Sequence, residues 1–235
     1  MNVLSRIAVA CLLPLALTSC LLVPGKFTSA LTIHADRTFT FSYVGQVIAS
    51  DPSESASGDE PLKANATPEE RADFVSKARE KVQKAKEREA KNREIATALA
   101  REAGYRSVVY KGNGLFEVDY SVSGLLTTNY VFPFNSDAEV MIPFIALEVR
   151  KDGTVRMRAP AFGKSGNPAG ASAGVPMMGD PSDKAEGTFT LTTDAEIVMQ
   201  NQESGPQQAG SNKVITWTIG TLKKDAPTAV LRMRN

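Results

Sequence analysis

Side chains able to do covalent or acid–base chemistry are few in this sequence, and poorly spaced for it. The single histidine, His34, excludes metal sites built on paired imidazoles. It falls in a predicted turn, "HAD", where a solvated side chain is expected; a general base there would need a nucleophile and an orienting acid that no neighbouring residue supplies. Gly163-Lys164-Ser165 invites comparison with a phosphate-cradling loop, but the spacing requires glycine where Arg158 stands, and loop rather than helix follows. Gly112-Asn113-Gly114 fails as a dinucleotide motif because Glu117 occupies the third glycine position. Glu117 and Asp119 share the polar face of one predicted strand and could pair for proton transfer or cation binding, yet no third acid is placed beside them. No catalytic residue, metal site or cofactor is expected.

What remains is thiol chemistry. Leu17, Thr18, Ser19 and Cys20 follow a leader with one positive charge, Arg6, and an apolar run from Ile7 to Leu17, the layout of a secretory signal. The run is much shorter than the about 20 residues that cross a bilayer as a helix. These four residues resemble a bacterial lipobox, after which the cysteine is diacylglycerated and the leader removed. Residues 1–19 then form a signal peptide and Cys20 becomes the anchor, two or three acyl chains holding durably where one would not. The other cysteine, Cys11, leaves with the leader, so no internal disulfide is expected. Leu21 stands where an aspartate commonly marks inner-membrane retention, which favours the outer membrane if the host has two. The expected location is the cell envelope, facing the periplasm or the exterior.

Charge carries information only locally. Lys and Arg number 27 against 26 Asp and Glu, and loss of Arg6 balances them, so no nucleic-acid partner is expected. Between Lys77 and Glu94, however, eight cations outnumber four carboxylates. Lys84, Arg88 and Lys91 there are candidates for contact with anionic headgroups or an acidic partner, at about 1 kcal/mol per cation near a charged surface. The competing reading is a self-solvating helix, because Glu80 with Lys84, Glu87 with Lys91 and Glu89 with Arg93 form favourable i,i+4 pairs. Met177 and Met178, in a glycine-rich stretch, form an apolar tip suited to a ligand mouth or membrane contact.

The elements that would hold these residues are legible from periodicity. Phe39, Phe41 and Tyr43 alternate with Thr38, Thr40 and Ser42 in the second strand of a hairpin that starts a few residues after Cys20. Residues 50–66 are acidic, small and proline-containing, and read as a flexible exposed linker. Thr67, Pro68 and Glu70 spell a helix start, and Gly104 its stop, giving one long charged helix over 67–104. As one straight rod it would reach roughly 54 Å at about 1.5 Å per residue. Its stripe of Val75, Ala78, Val82 and Ala85, and that of Ala96, Leu99 and Ala103, suggest packed ends, with Glu89 and Asn92 making the middle look solvated.

After Gly104 the chain reads as strands: "YRSVVYK" and "LFEVDYSV" around "GNG", then "FIALEVR", "VRMRA", "GTFTLTTDAEIVMQN", "KVITWTI" and "TAVLRM". Residues 162–187, rich in glycine and proline, read as a long loop. The fold class is therefore α+β, a mainly antiparallel twisted sheet of hairpins with the long helix inserted after the first, in a single ectodomain over 20–235.

The order of these features resembles the LppM-like group of bacterial envelope lipoproteins: a lipidated cysteine, the "FTFSY" strand, a charged helical insertion, then "DAEIVMQN" and the tryptophan-bearing "NKVITWTI". The resemblance implies a non-enzymatic protein with a lipid-binding-like α/β ectodomain, and maps no ligand residues. The chain departs from that pattern in having no C-terminal apolar segment. Two functions are thus expected: binding of an amphipathic ligand or membrane surface through the dry sheet face and the loop, or a protein-interaction scaffold that uses the long helix as an arm.

Overall fold

The computed structural model describes residues 21–50, 65–133, 142–163, 184–220 and 225–234. Cys20, residues 51–64 of the linker, and Met177 and Met178 lie outside the described residues.

The first hairpin forms as the alternation requires. β1 (Leu21–Ile33) and β2 (Thr38–Ser50) pair antiparallel, Leu31 opposite Phe41. Asp36 closes the turn, its carboxylate accepting both the backbone N–H and the hydroxyl of Thr38. β1 shifts register between Pro24 and Phe27. The irregularity needs glycine on both neighbouring strands: a Cβ on Gly45 would stand 2.5 Å from the Phe27 Cα, and one on Gly187 would stand 2.0 Å from the Phe27 carbonyl oxygen.

The helix α1 spans Pro68–Leu99 and is followed by β3 (Tyr105–Gly112) and β4 (Leu115–Leu125). It stops five residues before the expected end. Residues 100–104 turn the chain back, and Gly104, at φ 93°, takes the left-handed conformation that completes the reversal. Further on come β5 (Tyr130–Phe132), β6 (Ile145–Val149), β7 (Thr154–Arg158) and a 3₁₀ turn at Pro160–Phe162. β8 (Glu186–Thr193), β9 (Glu196–Gln200), β10 (Gln207–Ala209), β11 (Asn212–Ile219) and β12 (Thr228–Arg232) complete the described elements.

The class is the expected α+β, antiparallel-dominated, with the helix after the first hairpin. Its strands divide between two sheets, ordered β10-β11-β8-β1-β2-β4-β3 and β5-β6-β7-β12-β9. β1 and β8 are parallel; every other pairing is antiparallel. The run "GTFTLTTDAEIVMQN" is split at Asp194–Ala195, β8 belonging to the larger sheet and β9 to the smaller. Thr193 makes the corner: its buried hydroxyl accepts the Ala195 N–H at 3.0 Å, replacing a ladder bond with a local one.

The dry faces of the two sheets meet in one aromatic-rich core. Phe41 and Tyr43 of the larger sheet pack on Phe132 at 5.2 and 5.7 Å between ring centroids, and Phe27 stacks on Phe162 at 4.3 Å. Leu147, Met157, Ala229 and Leu231 supply the opposing layer, all buried. The ends of the glycine-rich loop belong to this core too, since Phe162 and Ala185 are buried, so 162–187 is not irregular surface throughout.

Candidate functional site

α1 is built by local signals and then held at one end. Thr67 Oγ1 accepts the Glu70 N–H at 3.2 Å while Glu70 Oε2 accepts the Thr67 N–H at 2.6 Å, a complete capping box. Salt bridges on its surface, Asp73 to Lys77 at 2.9 Å and Glu80 to Lys84 at 2.7 Å, support the helix as i,i+4 pairs do. Its packing partner is β3, the edge strand of the larger sheet.

Glu89 and Asn92, read from the sequence as solvated, make the contact. The Tyr110 hydroxyl donates to Glu89 Oε1 at 2.6 Å and accepts from Asn92 Nδ2 at 3.3 Å and from the Gly114 N–H at 3.0 Å. One donor and two acceptor positions saturate the phenol. Glu89 Oε1 also accepts the Asn113 N–H at 2.8 Å, and Arg93 lies over the Tyr110 ring at 5.6 Å. The Tyr110 hydroxyl first, and then the Asn113 amide, hold the Glu89 carboxyl below its ordinary range. Asn92 is 1% exposed and Ala96 enters the core, so this seam is where the helix docks.

The apolar stripe expected to pack does the reverse. Val75 is 47% exposed and Val82 57%, with only Ala85 of that stripe half-buried, and the neighbouring Phe74 is 42% exposed. The periodicity was legible; which part of the helix has a sheet beneath it was not. Phe74 lies eighteen residues before Asn92, five full turns at about 3.6 residues each, so both sit on one line of the helix. The same face is thus covered from Ala85 onward and uncovered before it.

The sequence-predicted contact residues fall on either side of this boundary. Lys84 is exposed and bound to Glu80; Arg88 is half-buried beside the seam; Lys91 is exposed. Cys20, Met177 and Met178 lie outside the described residues. Tyr110, Asn113 and Phe74 were missed. Only Phe74, on the apolar line of the helix, carried a signal that could have found it.

No other residue set assembles into a reactive site among the described residues. Glu117 and Asp119 do not face each other's protons but pair with separate cations, Lys111 at 2.9 Å and Arg106 at 3.7 Å. His34 Nδ1 lies 3.4 Å from Asp194 Oδ1, whose main partner is the Ala35 N–H at 2.7 Å. Arg234 reaches the other oxygen of Asp194 at 3.0 Å, so the carboxylate acts as a clasp between the first turn and the C-terminal segment. Tyr120 and Tyr130 touch hydroxyl to hydroxyl at 3.4 Å; burial holds Tyr105 up at about 12 and raises Tyr43 and Tyr130 as well, keeping those three phenols neutral. Among the described residues no group of three His, Cys, Asp or Glu could hold a metal ion, and no helix is long and apolar enough to cross a membrane.

The dry face of the larger sheet is covered. Phe41, Tyr43 and Leu31 are fully buried in the core that this face shares with the smaller sheet.

A scan against protein-family models and a search of curated proteins both find no match. Among solved structures, the chain is similar to the NMR structure of the Mycobacterium tuberculosis LppM folded domain. Identity is 16% and the TM-score 0.34, over 91% of this chain and 92% of that one.

Proposed function

We propose that this protein is a lipid-anchored, non-enzymatic component of a bacterial cell envelope, tethered through Cys20 and working at the membrane surface. The observation that carries the reading is the leader ending in Leu17-Thr18-Ser19-Cys20, followed immediately by strand structure from Leu21. A thiol one residue from a folded sheet leaves no stalk, so an acylated Cys20 would hold the body within a few ångströms of the lipid. Metabolic labelling with an alkyne fatty acid tests it: wild type takes up label and fractionates with membranes, while Cys20→Ser does neither. A Cys20→Ser chain that still carries label would sink the reading. Density-gradient separation of the two membranes, in a host that has both, tests the outer-membrane assignment.

A second reading, a protein-interaction scaffold, is supported by the exposure of α1 before Ala85. Site-specific crosslinkers should then trap a partner from positions 74–84. The Ala85–Glu94 stretch is a poorer choice, because much of it faces β3.

A further inference from the structure

The exposed half of α1 leaves the body in a particular direction. The helix is joined to the start of β3 through the Gly104 turn, and as residue number falls along it Asn92 meets Tyr110 and Glu89 meets the Asn113 turn at the far end of β3, where the seam ends. Before Ala85 the helix continues past that end of the sheet, and residues 67–84 are exposed on every side. Seventeen residues, 68–84, extend about 25 Å at about 1.5 Å per residue.

The chain also enters the fold at that end. Leu21 pairs with Ser50, two residues beyond the level at which Ile48 pairs with Leu115, and the Ala49 N–H bonds the Gly114 carbonyl beside the Asn113 turn. The overhanging half of α1 and the entry point from Cys20 therefore share one pole of the molecule.

Two properties of the overhang specify what it meets. Its inner line, Phe74, Ala78 and Val82, continues the docking face with apolar side chains and no sheet beneath them. Around it, from Lys77 to Lys84, four cations stand against one carboxylate, while the acids Glu69, Glu70 and Asp73 lie in the first turns of the helix. An apolar line edged by long cationic side chains fits a bilayer interface, where the alkyl stems lie along the acyl boundary and the charges reach lipid phosphates. The acids that pair with Lys77 and Lys84 lie on the outer side, away from the apolar line.

We propose that the first half of α1 is a membrane-contact arm, with Phe74, Ala78 and Val82 seated in the interface of an anionic phospholipid bilayer and Lys77, Lys81 and Lys84 on its phosphates. The proposal rests on the membrane-surface reading above and adds to it the element and the lipid charge.

The test uses the full chain with Phe74→Trp, reconstituted into vesicles either of neutral phosphatidylcholine or with one third phosphatidylglycerol. The native Trp217 is buried, and the parent chain measured in parallel subtracts it. In anionic vesicles the introduced tryptophan should shift to shorter wavelength and be quenched at least twofold by brominated lipid. In neutral vesicles, or with Lys77, Lys81 and Lys84 changed to Gln, quenching should fall by at least half. Salt near 1 M should weaken it likewise, as the screening length drops to about 3 Å.

Flotation separates the two readings. Chain that floats through Cys20 while the introduced tryptophan stays unquenched keeps the anchor and overturns the arm. Flotation and quenching that persist in Cys20→Ser keep the arm, and the fatty-acid label, lost or retained in that same chain, then keeps or overturns the anchor. A concentration-dependent shift without vesicles would mean that a second copy covers the arm, and quenching equal in neutral and anionic vesicles would remove its charge preference; either overturns the proposal.

Discussion

At the residue scale, single polar groups decide how the helix and the chain ends are held. The Tyr110 hydroxyl serves Glu89, Asn92 and Gly114 together, so Tyr110→Phe removes three hydrogen bonds and leaves the buried Asn92 amide short of a partner. An unsatisfied buried donor costs about 1–3 kcal/mol, and chemical denaturation should show a loss in that range with the fold retained. Asp194 gives a pH signature. Its carboxyl lies below its ordinary range, first because the Ala35 amide donates to it and then because His34 and Arg234 face it. A depressed folded pKa contributes stability that is present above the ordinary carboxylate range near about 4 and lost as pH falls through the folded value. Asp194→Asn should therefore lower Tm at neutral pH but flatten its fall between pH 4 and 2; an unchanged acid limb would exclude the clasp as its cause.

At the scale of the element, α1 is one helix with two environments. From Glu89 to Ala96 it is pinned by hydrogen bonds and core contact, whereas from Pro68 to Lys84 it is exposed and supported by its cap and its i,i+4 pairs. Isolated helices of this length are marginal in water, so hydrogen exchange should find the amides of 72–84 less protected than those of 89–99 in detergent-free protein. Val82→Ser, at an exposed position, should change stability by no more than about 0.5 kcal/mol. Contact with anionic vesicles should slow exchange in the first half alone, which ties this measurement to the proposed arm.

Across the whole molecule, stability comes from the meeting of two sheets. With no thiol available for a bridge between Leu21 and Asn235, the aromatic layer around Phe41, Tyr43, Phe132 and Phe144 carries the interface. Phe132→Ala should cost about 3–5 kcal/mol in denaturant unfolding, as large-to-small changes in a closed core do. Asn201 ties the two sheets at the edge, its side-chain oxygen accepting both the Trp217 indole N–H and the Thr228 N–H.

Alternation at Phe39-Phe41-Tyr43 and at Ile215-Trp217-Ile219, and the capping box at Thr67-Glu70, were readable because each is a local relation between neighbours a few residues apart. The proposed leader and Cys20 anchor rest on the same kind of local relation. Tertiary structure alone decided that the strands form two sheets, because one buried face looks the same in sequence whether helix, sheet or ligand covers it. It also decided that Glu89 and Asn92 dock while Phe74 and Val82 stay exposed. Periodicity shows which line of a helix faces inward, but only the length of β3 beneath it determines where that line runs out of partners.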